Sequence, residues 1–192
     1  MIYTVTLNPS IDFIVRVDGL KIGELNRMKE DFKVPGGKGI NVSRILKRID
    51  SDSTALGFLG GFTGNFIAEW LEKETIQTSF TTVQSDTRIN IKLKSDSETE
   101  INGLGPTISD EEIQSFKQAL SVVNKGDIVV LSGSTPASLR KGFYQELIEI
   151  IREKEADFVI DTTGDDLKNS LAKRPLLIKP NNHELAELYQ TH

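Results

Sequence analysis

Cysteine is absent from the sequence, and this absence excludes several kinds of site at once. Disulfide frameworks, thiolate zinc sites and cysteine nucleophiles all need a sulfur atom that the chain does not have. Histidine is almost as scarce, since only His183 and His192 occur. Two histidines are too few for most catalytic triads and metal centres built on histidine. We interpret His183 as a polar surface residue.

Positive charge and long apolar runs are also in short supply. The 23 lysines and arginines are outnumbered by 28 aspartates and glutamates, which gives a net charge of −5. This balance disfavours a nucleic acid or an anionic membrane as a partner held by bulk charge, although it leaves room for a small basic pocket. No apolar run approaches the roughly 20 residues of a membrane span, and the N-terminus MIYTVTLNPSID lacks the regions of a signal peptide. We therefore expect a cytoplasmic protein.

Short apolar runs alternate with helical patterns along most of the chain. Strands are predicted over residues 2–7, 53–60, 127–133, 157–164 and 175–181, and helices over 65–75, 109–120 and 143–154. A further helix follows residue 37 and is predicted to bury Val42, Ile45, Leu46 and Ile49, which lie on one helical face. Continuous apolar strands are typical of sheets buried on both faces. The order therefore predicts an α/β fold, an open and mostly parallel sheet with helices on both faces.

Two segments do not fit this pattern. In TRINIKLK, residues 87–94, apolar side chains alternate with polar ones, which indicates a strand with one face in contact with water. IDFIVRV, residues 11–17, is a second strand of this kind. We predict that residues 11–35 and 87–103 form a small antiparallel lid, and that residues 1–10, 36–86 and 104–192 form the main domain.

The stretch VPGGKGINVSRIL places Gly36, Gly37 and Gly39 around Lys38, directly before a helical pattern. Glycine lets the backbone approach a ligand closely, and the start of a helix presents N–H groups with a partial positive charge. Because Lys38 adds a full charge, the stretch predicts a site for hydroxyls and anionic oxygens. It matches neither the Walker A pattern nor a GxGxxG fingerprint. A tight turn that needs glycine only for packing is the alternative.

GGKGINVS resembles the first signature of the ribokinase-like carbohydrate kinase family. Seven further blocks occur in the family's order, namely TVTLNPSID, GFLGGFTG, DTRIN, TEING, LSGSTP, DTTG and KPNNHEL. TLNPSID, TRIN and EING are most similar to the 1-phosphofructokinase branch, and the tagatose-6-phosphate kinases come next. The resemblance extends over nearly the whole chain. It implies ATP-dependent phosphorylation of fructose 1-phosphate to fructose 1,6-bisphosphate, with Mg²⁺ as cofactor.

The resemblance also implies which residues bind the phosphosugar. Asp12 and Asn41 would contact sugar hydroxyls, while Arg88 and Lys38 would hold the phosphate. Guanidinium binds phosphate through paired N–H groups and ammonium acts as a point charge. For Arg88, a solvated strand residue is the alternative. The full predicted set is Asp12, Gly36, Gly37, Lys38, Asn41, Arg88, Asn90, Ser134 and Arg27.

KPNNHEL places Asn181 three residues before Glu184, which matches the family's NxxE motif. The resemblance implies that Lys179 and Asn181 contact the nucleotide and that Glu184 organises Mg²⁺, a cation that takes few carboxylates and keeps several waters. Asn181 and Glu184 are also suited to an N-cap and its capping-box partner, and the two interpretations are compatible.

The family's catalytic base belongs to a late Gly-Ala-Gly-Asp motif, which does not occur in the 192 residues. DTTGDD, with Asp166, is superficially similar, but it precedes the NxxE motif whereas the catalytic motif follows it. We therefore expect no catalytic residue in this chain, with the base C-terminal to His192, so that the chain is an inactive N-terminal portion of the fold. The alternatives are a tagatose-6-phosphate kinase and a non-catalytic sugar-phosphate binding module. The resemblance also implies a homodimer formed through the lid.

Overall fold

The computed structural model describes residues 1–189, in which strands and helices alternate. The strands are β1 (Ile2–Thr6), β2 (Ser10–Arg16), β3 (Glu30–Gly36), β4 (Thr54–Gly60), β5 (Gln77–Thr78), β6 (Thr81–Val83), β7 (Arg88–Lys94), β8 (Glu98–Asn102), β9 (Ile128–Ser132), β10 (Asp157–Asp161) and β11 (Leu177–Ile178). The helices are α1 (Lys38–Arg48), α2 (Gly61–Lys73), α3 (Asp110–Leu120), α4 (Phe143–Glu153), α5 (Gly164–Leu171) and α6 (Asn182–Tyr189). No helix in this part of the chain combines the length and the apolar character that a membrane crossing requires.

Seven strands form the main sheet in the order β11-β10-β9-β1-β4-β5, with β6 also paired to β4. Every neighbouring pair in this sheet is parallel, so the predicted open parallel sheet is confirmed. From β1 the chain first builds the sheet on the β4 side and later on the β9 side. This change of direction opens a crevice at the carboxyl end of β1, where ligands bind in sheets of this kind.

Helices cover both faces of the main sheet. The larger apolar cluster contains Leu56 and Phe58 of β4 together with side chains of α3, α4 and α5. The residues that alternate with them, Ala55 and Leu59, belong to a second cluster with α1 and α2. Because successive side chains of a strand point to opposite faces, the two clusters lie on opposite sides of the sheet. Burial on both faces explains why the strand segments are nearly continuous apolar runs.

Helix α1 begins where the sequence predicted, but the helix buries a different face from the predicted one. Ile45 and Ile49, two residues of the predicted face, are 54% and 67% exposed. The residues that α1 buries are Gly39, Ile40 and Ser43. Two of these are small, so the helix lies close against β1 rather than being held away by branched side chains. The prediction of the face is therefore wrong.

A polar seam occupies the contact between α1 and β1. The Ser43 hydroxyl lies 2.7 Å from the hydroxyl of Thr4 and accepts a hydrogen bond from Ser53 at 2.8 Å. The Ile40 N–H donates to Thr6 Oγ1 at 2.9 Å. Since each of these buried hydroxyls has a partner, the seam avoids the cost of unpaired polar groups. The spacing of apolar residues predicted the wrong buried face of α1, because small polar side chains, and not large apolar ones, make the contact between α1 and β1.

A separate four-stranded sheet has the order β3-β2-β7-β8. The pairs β2–β3 and β7–β8 are antiparallel, but β2 and β7 are parallel, so the sheet is mixed and not antiparallel throughout as predicted. The physical reason is that two hairpins from distant parts of the chain leave the main sheet in the same direction and join side by side. The proposed division into a lid over residues 11–35 and 87–103 and a main domain stays a prediction.

One ion pair ties α1 to the end of α2. Arg44 donates to both carboxylate oxygens of Glu74, at 2.7 and 2.8 Å, and the Trp70 indole N–H donates to the same carboxylate at 2.9 Å. The side chains of Arg44 and Glu74 are 16% and 30% exposed. The hydrogen bonds from Arg44 are the main cause that holds the pKa of Glu74 below its ordinary value. The pair therefore stabilises the fold only while Glu74 is ionised.

We expect Glu74→Gln to lower the free energy of unfolding by about 1–2 kcal/mol at pH 7, because glutamine keeps the shape of the side chain but not its charge. Since the pKa of Glu74 is lowered by folding, this contribution is present above the ordinary glutamate pKa of 4.5 and is lost as the pH falls through the folded-state pKa. Urea denaturation at pH 7 and at successively lower pH measures the difference between the two proteins, which should shrink in acid.

The matched control is Glu24→Gln. Glu24 lies 3.6 Å from Lys21, and the two side chains are 63% and 69% exposed, so we expect a change below about 0.5 kcal/mol. If Glu74→Gln changes stability no more than this control does, or if its effect is the same at every pH, the ion pair does not have the assigned role.

Candidate functional site

A cavity of about 430 Å³ opens between the carboxyl edge of the main sheet and the small sheet. The main sheet contributes residues at the ends of β1, β9 and β10, α1 contributes its first turn, and the small sheet contributes β2, β7 and β8. The lining residues are Thr6, Asn8, Ser10, Asp12, Gly37, Lys38, Asn41, Arg88, Asn90, Lys92, Glu100, Asn102, Ser132, Gly133, Ser134, Thr162 and Thr163. The cavity thus lies in the crevice that the strand order creates.

The structure brings most of the predicted substrate-binding residues to this cavity. Those in its lining are Asp12, Gly37, Lys38, Asn41, Arg88, Asn90 and Ser134. Gly36 lies beside them, because a Cβ on it would overlap the Asp12 carboxylate and the Ser10 hydroxyl. Arg27 is exposed in the loop between β2 and β3 and is not in the lining. The roles of these residues in binding stay predictions.

Asp12 is held in a fixed orientation by three neighbours on the small sheet. Its Oδ1 atom accepts hydrogen bonds from Ser10 Oγ at 2.8 Å and from Asn90 Nδ2 at 3.2 Å. Its Oδ2 atom lies 3.2 Å from Lys92 Nζ. Because β2 and β7 pair Asp12 with Asn90 directly, the contact follows from the register of the sheet. The carboxylate is thus already positioned to accept hydrogen bonds from hydroxyl groups.

Arg88 is a half-buried cation at the start of β7. Its Nη2 atom donates to the backbone carbonyl of Asn8 at 3.0 Å. Its Nε atom is buried and has no hydrogen-bond partner among residues 1–189. Burial lowers the pKa of Arg88 and the nearby Asp12 carboxylate opposes this shift, yet a guanidinium stays charged in proteins. Arg88 therefore keeps donor capacity for an anionic group in the cavity.

The first turn of α1 forms the opposite, electropositive wall. Gly37 is the N-cap residue with φ +123° and has no side chain that could cap the helix, and no acidic residue lies in the first turn. The Ile40 N–H donates to Thr6 Oγ1, so the first-turn N–H groups that remain are those of Lys38 and Gly39. They give this wall a partial positive charge, and the Lys38 side chain adds a full charge. A wall of this kind suits phosphate.

Asp161 is a candidate site residue that the sequence analysis missed. One carboxylate oxygen lies 2.8 Å from Lys38 Nζ and the other lies 3.2 Å from Lys179 Nζ, and its side chain is 8% exposed. Asp161 thus links the lysine predicted to hold the sugar phosphate with the one predicted to contact the nucleotide. Its position at the carboxyl end of β10, next to β9, was the signal that could have found it.

A hydrogen-bond cluster fixes the loop that carries Ser134. The carbonyl of Gly133 accepts from the Tyr144 hydroxyl at 3.0 Å and from Thr162 Oγ1 at 3.1 Å. Complete burial raises the pKa of Tyr144, with smaller contributions from Asp166 and Asp161, so its hydroxyl stays protonated and can donate. Side chains from α4 and from the segment after β10 therefore fix this loop, and the loop places Ser134 at the cavity wall.

The NxxE motif lies outside the cavity lining. The Asn181 N–H donates to Glu184 Oε2 at 2.8 Å, and the Glu184 N–H donates to Asn181 Oδ1 at 2.9 Å. This is the capping box that the sequence left open as one interpretation, and it is confirmed. The roles of Lys179, Asn181 and Glu184 toward nucleotide or metal stay predictions. Within residues 1–189, no three or more acidic or histidine side chains are grouped so that they could hold a metal ion.

Comparison with known proteins gives consistent similarities. The model of the pfkB family of carbohydrate kinases matches residues 5–192. The 1-phosphofructokinase of Bacillus subtilis is 52% identical over 191 residues, which cover 100% of this chain and 63% of that protein. A tagatose-6-phosphate kinase of Staphylococcus epidermidis is 36% identical over 98% of this chain and 62% of that protein. The crystal structure of phosphofructokinase-2 from Escherichia coli with substrates and products matches with a TM-score of 0.92 at 26% identity, covering 100% of this chain and 64% of that one. The chain therefore spans less than two thirds of the length of these relatives.

We expect Gly37→Ala to lower the free energy of unfolding by about 2–4 kcal/mol, because backbone strain at positive φ and steric overlap of the new Cβ add. The residue has φ +123°, and a Cβ on it would lie 2.6 Å from Thr6 Cγ2. Urea denaturation measures the loss.

Gly126→Ala is the matched control for backbone strain. Gly126 has φ +85°, and a Cβ on it would have no other atom within 4 Å, so this variant should cost only about 1–2 kcal/mol. Equal losses in the two variants would show that the close approach of α1 to β1 does not require glycine at position 37.

Proposed function

The chain belongs to the pfkB family of carbohydrate kinases, and we propose that it binds a ketohexose phosphate for ATP-dependent phosphorylation. The substrate that we propose is fructose 1-phosphate and the product is fructose 1,6-bisphosphate. The observation that carries this proposal is the pairing, in one cavity, of a hydrogen-bonded carboxylate with an electropositive wall. A phosphosugar needs both, since its hydroxyls donate hydrogen bonds and its phosphate requires cations.

In this proposal, one group of residues binds the sugar hydroxyls and another binds the phosphate. Asp12 accepts hydrogen bonds from sugar hydroxyls, and Asn41 contributes an amide from the first turns of α1. The guanidinium of Arg88 and the ammonium of Lys38 bind the phosphate. Lys38 must exchange part of its contact with Asp161 for the ligand. Arg27 lies away from this cavity and is the least supported member of the set.

Fructose 1-phosphate is favoured over tagatose 6-phosphate by similarity. The Bacillus subtilis 1-phosphofructokinase is 52% identical to this chain, compared with 36% for the tagatose-6-phosphate kinase. The lining residues themselves suit either sugar phosphate, because both carry several hydroxyls and one phosphate. A tagatose-6-phosphate kinase is therefore the second candidate within the same class.

ATP and Mg²⁺ are used by carbohydrate kinases of this family, and we propose Lys179, Asn181 and Glu184 for their binding. A single buried carboxylate fits Mg²⁺ only in part, which agrees with the tendency of this ion to keep waters and to bind substrate phosphates. Glu184 would hold the hydrated ion and Lys179 would contact nucleotide phosphates. When bound, Mg²⁺ supplies neutralisation of the charge on the phosphates.

This chain's own residues orient the acceptor and hold its phosphate, but we assign no catalytic base among them. Transfer to a hydroxyl needs a proton acceptor beside that hydroxyl and donors around the moving phosphoryl group. Asp166 lies in the first turn of α5 and is not in the cavity lining, and Asp12 is engaged by three neighbours. A sugar-phosphate binding module without catalysis is therefore the candidate from another class.

A homodimer formed through the small sheet is part of the proposal. Ile89 and Ile101 lie on the face of the small sheet opposite Asp12 and Asn90, and they are 39% and 56% exposed. Exposed apolar side chains on a sheet face are the surface that such a dimer would bury. The cytoplasm, which supplies ATP and phosphosugars, is the compartment that this function implies.

We expect Asp12→Ala and Arg88→Ala each to weaken the binding of fructose 1-phosphate about tenfold to a hundredfold, because each removes a charged hydrogen-bond partner. Isothermal titration with the phosphosugar measures the dissociation constants, and circular dichroism verifies that the variants are folded.

Lys94→Ala is the matched control, since Lys94 lies on the same strand and face as Arg88 but pairs with Glu98 at 3.7 Å at the far end of the sheet. Its affinity should equal that of the wild type. Unchanged affinity in both Asp12→Ala and Arg88→Ala would remove the substrate-site assignment. Tighter binding of tagatose 6-phosphate than of fructose 1-phosphate by the wild type would favour the second candidate.

We expect the 192-residue chain to show no measurable kinase turnover of fructose 1-phosphate, because we assign no catalytic base among its residues and transfer to a hydroxyl needs one. An ATP-consumption assay tests this on material whose intact mass has been verified. Turnover at an ordinary kinase rate by such material would show that Asp166 or another residue of this chain is the base.

A further inference from the structure

Asn8 is a buried residue of the cavity wall that is not among the substrate-binding residues predicted from the sequence. It follows β1, lines the cavity and is 7% exposed. Its Nδ2 atom lies 3.5 Å from Ser134 Oγ, at the outer limit of a hydrogen bond. Its Oδ1 atom has no hydrogen-bond partner among residues 1–189. An amide can donate two hydrogen bonds and accept two, so nearly all of this capacity is unused.

The position of the Asn8 amide is fixed by the segment behind it. Gly105 approaches so closely that a Cβ on it would lie 2.5 Å from Asn8 Oδ1. The amide oxygen is the atom closest to this position, and the amide nitrogen, at 3.1 Å from it, also contacts Ser134 Oγ. The backbone of Asn8 is held independently, because its carbonyl accepts the hydrogen bond from Arg88 Nη2 at 3.0 Å. The side chain thus adds nothing to the anchoring of Arg88.

Two further atoms on the same wall also lack partners within the described part of the chain. They are Arg88 Nε and Ser132 Oγ, and Ser132 is completely buried. Buried polar atoms in folded proteins are nearly always hydrogen-bonded, so unsatisfied ones gathered at one cavity call for an explanation. This wall therefore carries polar groups whose hydrogen-bonding capacity the described part of the chain does not use.

We propose that Asn8 is a substrate-binding residue whose side-chain amide donates a hydrogen bond to an oxygen of the bound phosphosugar. This inference rests on the proposed function. The oxygen belongs either to the phosphate, which Arg88 holds next to Asn8, or to a sugar hydroxyl. In both cases the donor is Nδ2, whose contact with Ser134 is too long to satisfy it. The amide is preorganised for the ligand at the expense of an unpaired oxygen in the free protein.

The test compares Asn8→Ala with the wild type in binding and in stability. Isothermal titration gives dissociation constants for fructose 1-phosphate and for inorganic phosphate, and urea denaturation gives the unfolding midpoint. We expect the dissociation constant for fructose 1-phosphate to rise about tenfold, as for a lost hydrogen bond to a charged or polar ligand. The unfolding midpoint should stay the same or rise, because the variant removes a buried oxygen without a partner.

The titration with inorganic phosphate identifies which ligand oxygen accepts the hydrogen bond from Asn8. If phosphate binding weakens together with fructose 1-phosphate binding, Asn8 donates to the phosphate. If phosphate binding is unchanged, Asn8 donates to a sugar hydroxyl. Asn8→Asp, which keeps the shape but replaces the donor by a negative charge, should weaken fructose 1-phosphate binding more than Asn8→Ala does. It also serves as the test variant if the alanine variant does not fold.

Unchanged binding of fructose 1-phosphate in folded Asn8→Ala or Asn8→Asp would overturn the inference while leaving the proposed function intact. A lowered unfolding midpoint with unchanged affinity would show that Asn8 has a structural role only. If the wild-type protein itself binds neither fructose 1-phosphate nor tagatose 6-phosphate, the proposed function fails, and the role of Asn8 in it fails as well.

Discussion

The close approach of α1 to β1 is the constraint on which the cavity depends. A Cβ on Gly39 would lie 2.5 Å from Thr6 Oγ1 and 2.6 Å from the Val5 carbonyl, and one on Gly37 would meet Thr6 Cγ2. Only glycine at these positions lets the helix start directly above the end of the strand. This placement aims the first N–H groups and Lys38 into the crevice. A helix displaced by the size of a methyl group would carry the electropositive wall away from the small sheet, and the two halves of the site would no longer face each other.

The lysines at the cavity are paired with carboxylates in the structure. Asp12 contacts Lys92, and Asp161 contacts both Lys38 and Lys179. These carboxylates keep the lysines ordered and lower the cost of gathering like charges in one place. A phosphate bound as proposed would have to replace the contact between Lys38 and Asp161. A ligand gains affinity only where its oxygens replace the contacts that it breaks.

The sequence predicted the parallel sheet and seven of the 17 residues that line the cavity, but not the contacts that assemble them. Apolar runs located the strands, and the pattern Asn181 followed by Glu184 located a capping box that the structure contains. These signals are local, so a single sequence carries them. The buried face of α1 was predicted wrongly, since Ser43 and its hydroxyl partners replace the apolar side chains that a periodic pattern detects. Asp161 was missed because its partner Lys38 is 123 positions away.

The parallel pairing of β2 with β7 has a consequence for the order in which the molecule forms. Asp12 and Asn90, which meet across this pair, are 78 positions apart, and the chain between them builds α1, β4, α2 and β6. Closing so long a loop is slow and loses much chain entropy, unless the intervening elements are already packed. We therefore expect the two hairpins to join after the centre of the main sheet is in place. The polar wall of the cavity would then form late in folding, once the chain has emerged from the ribosome at least through β8.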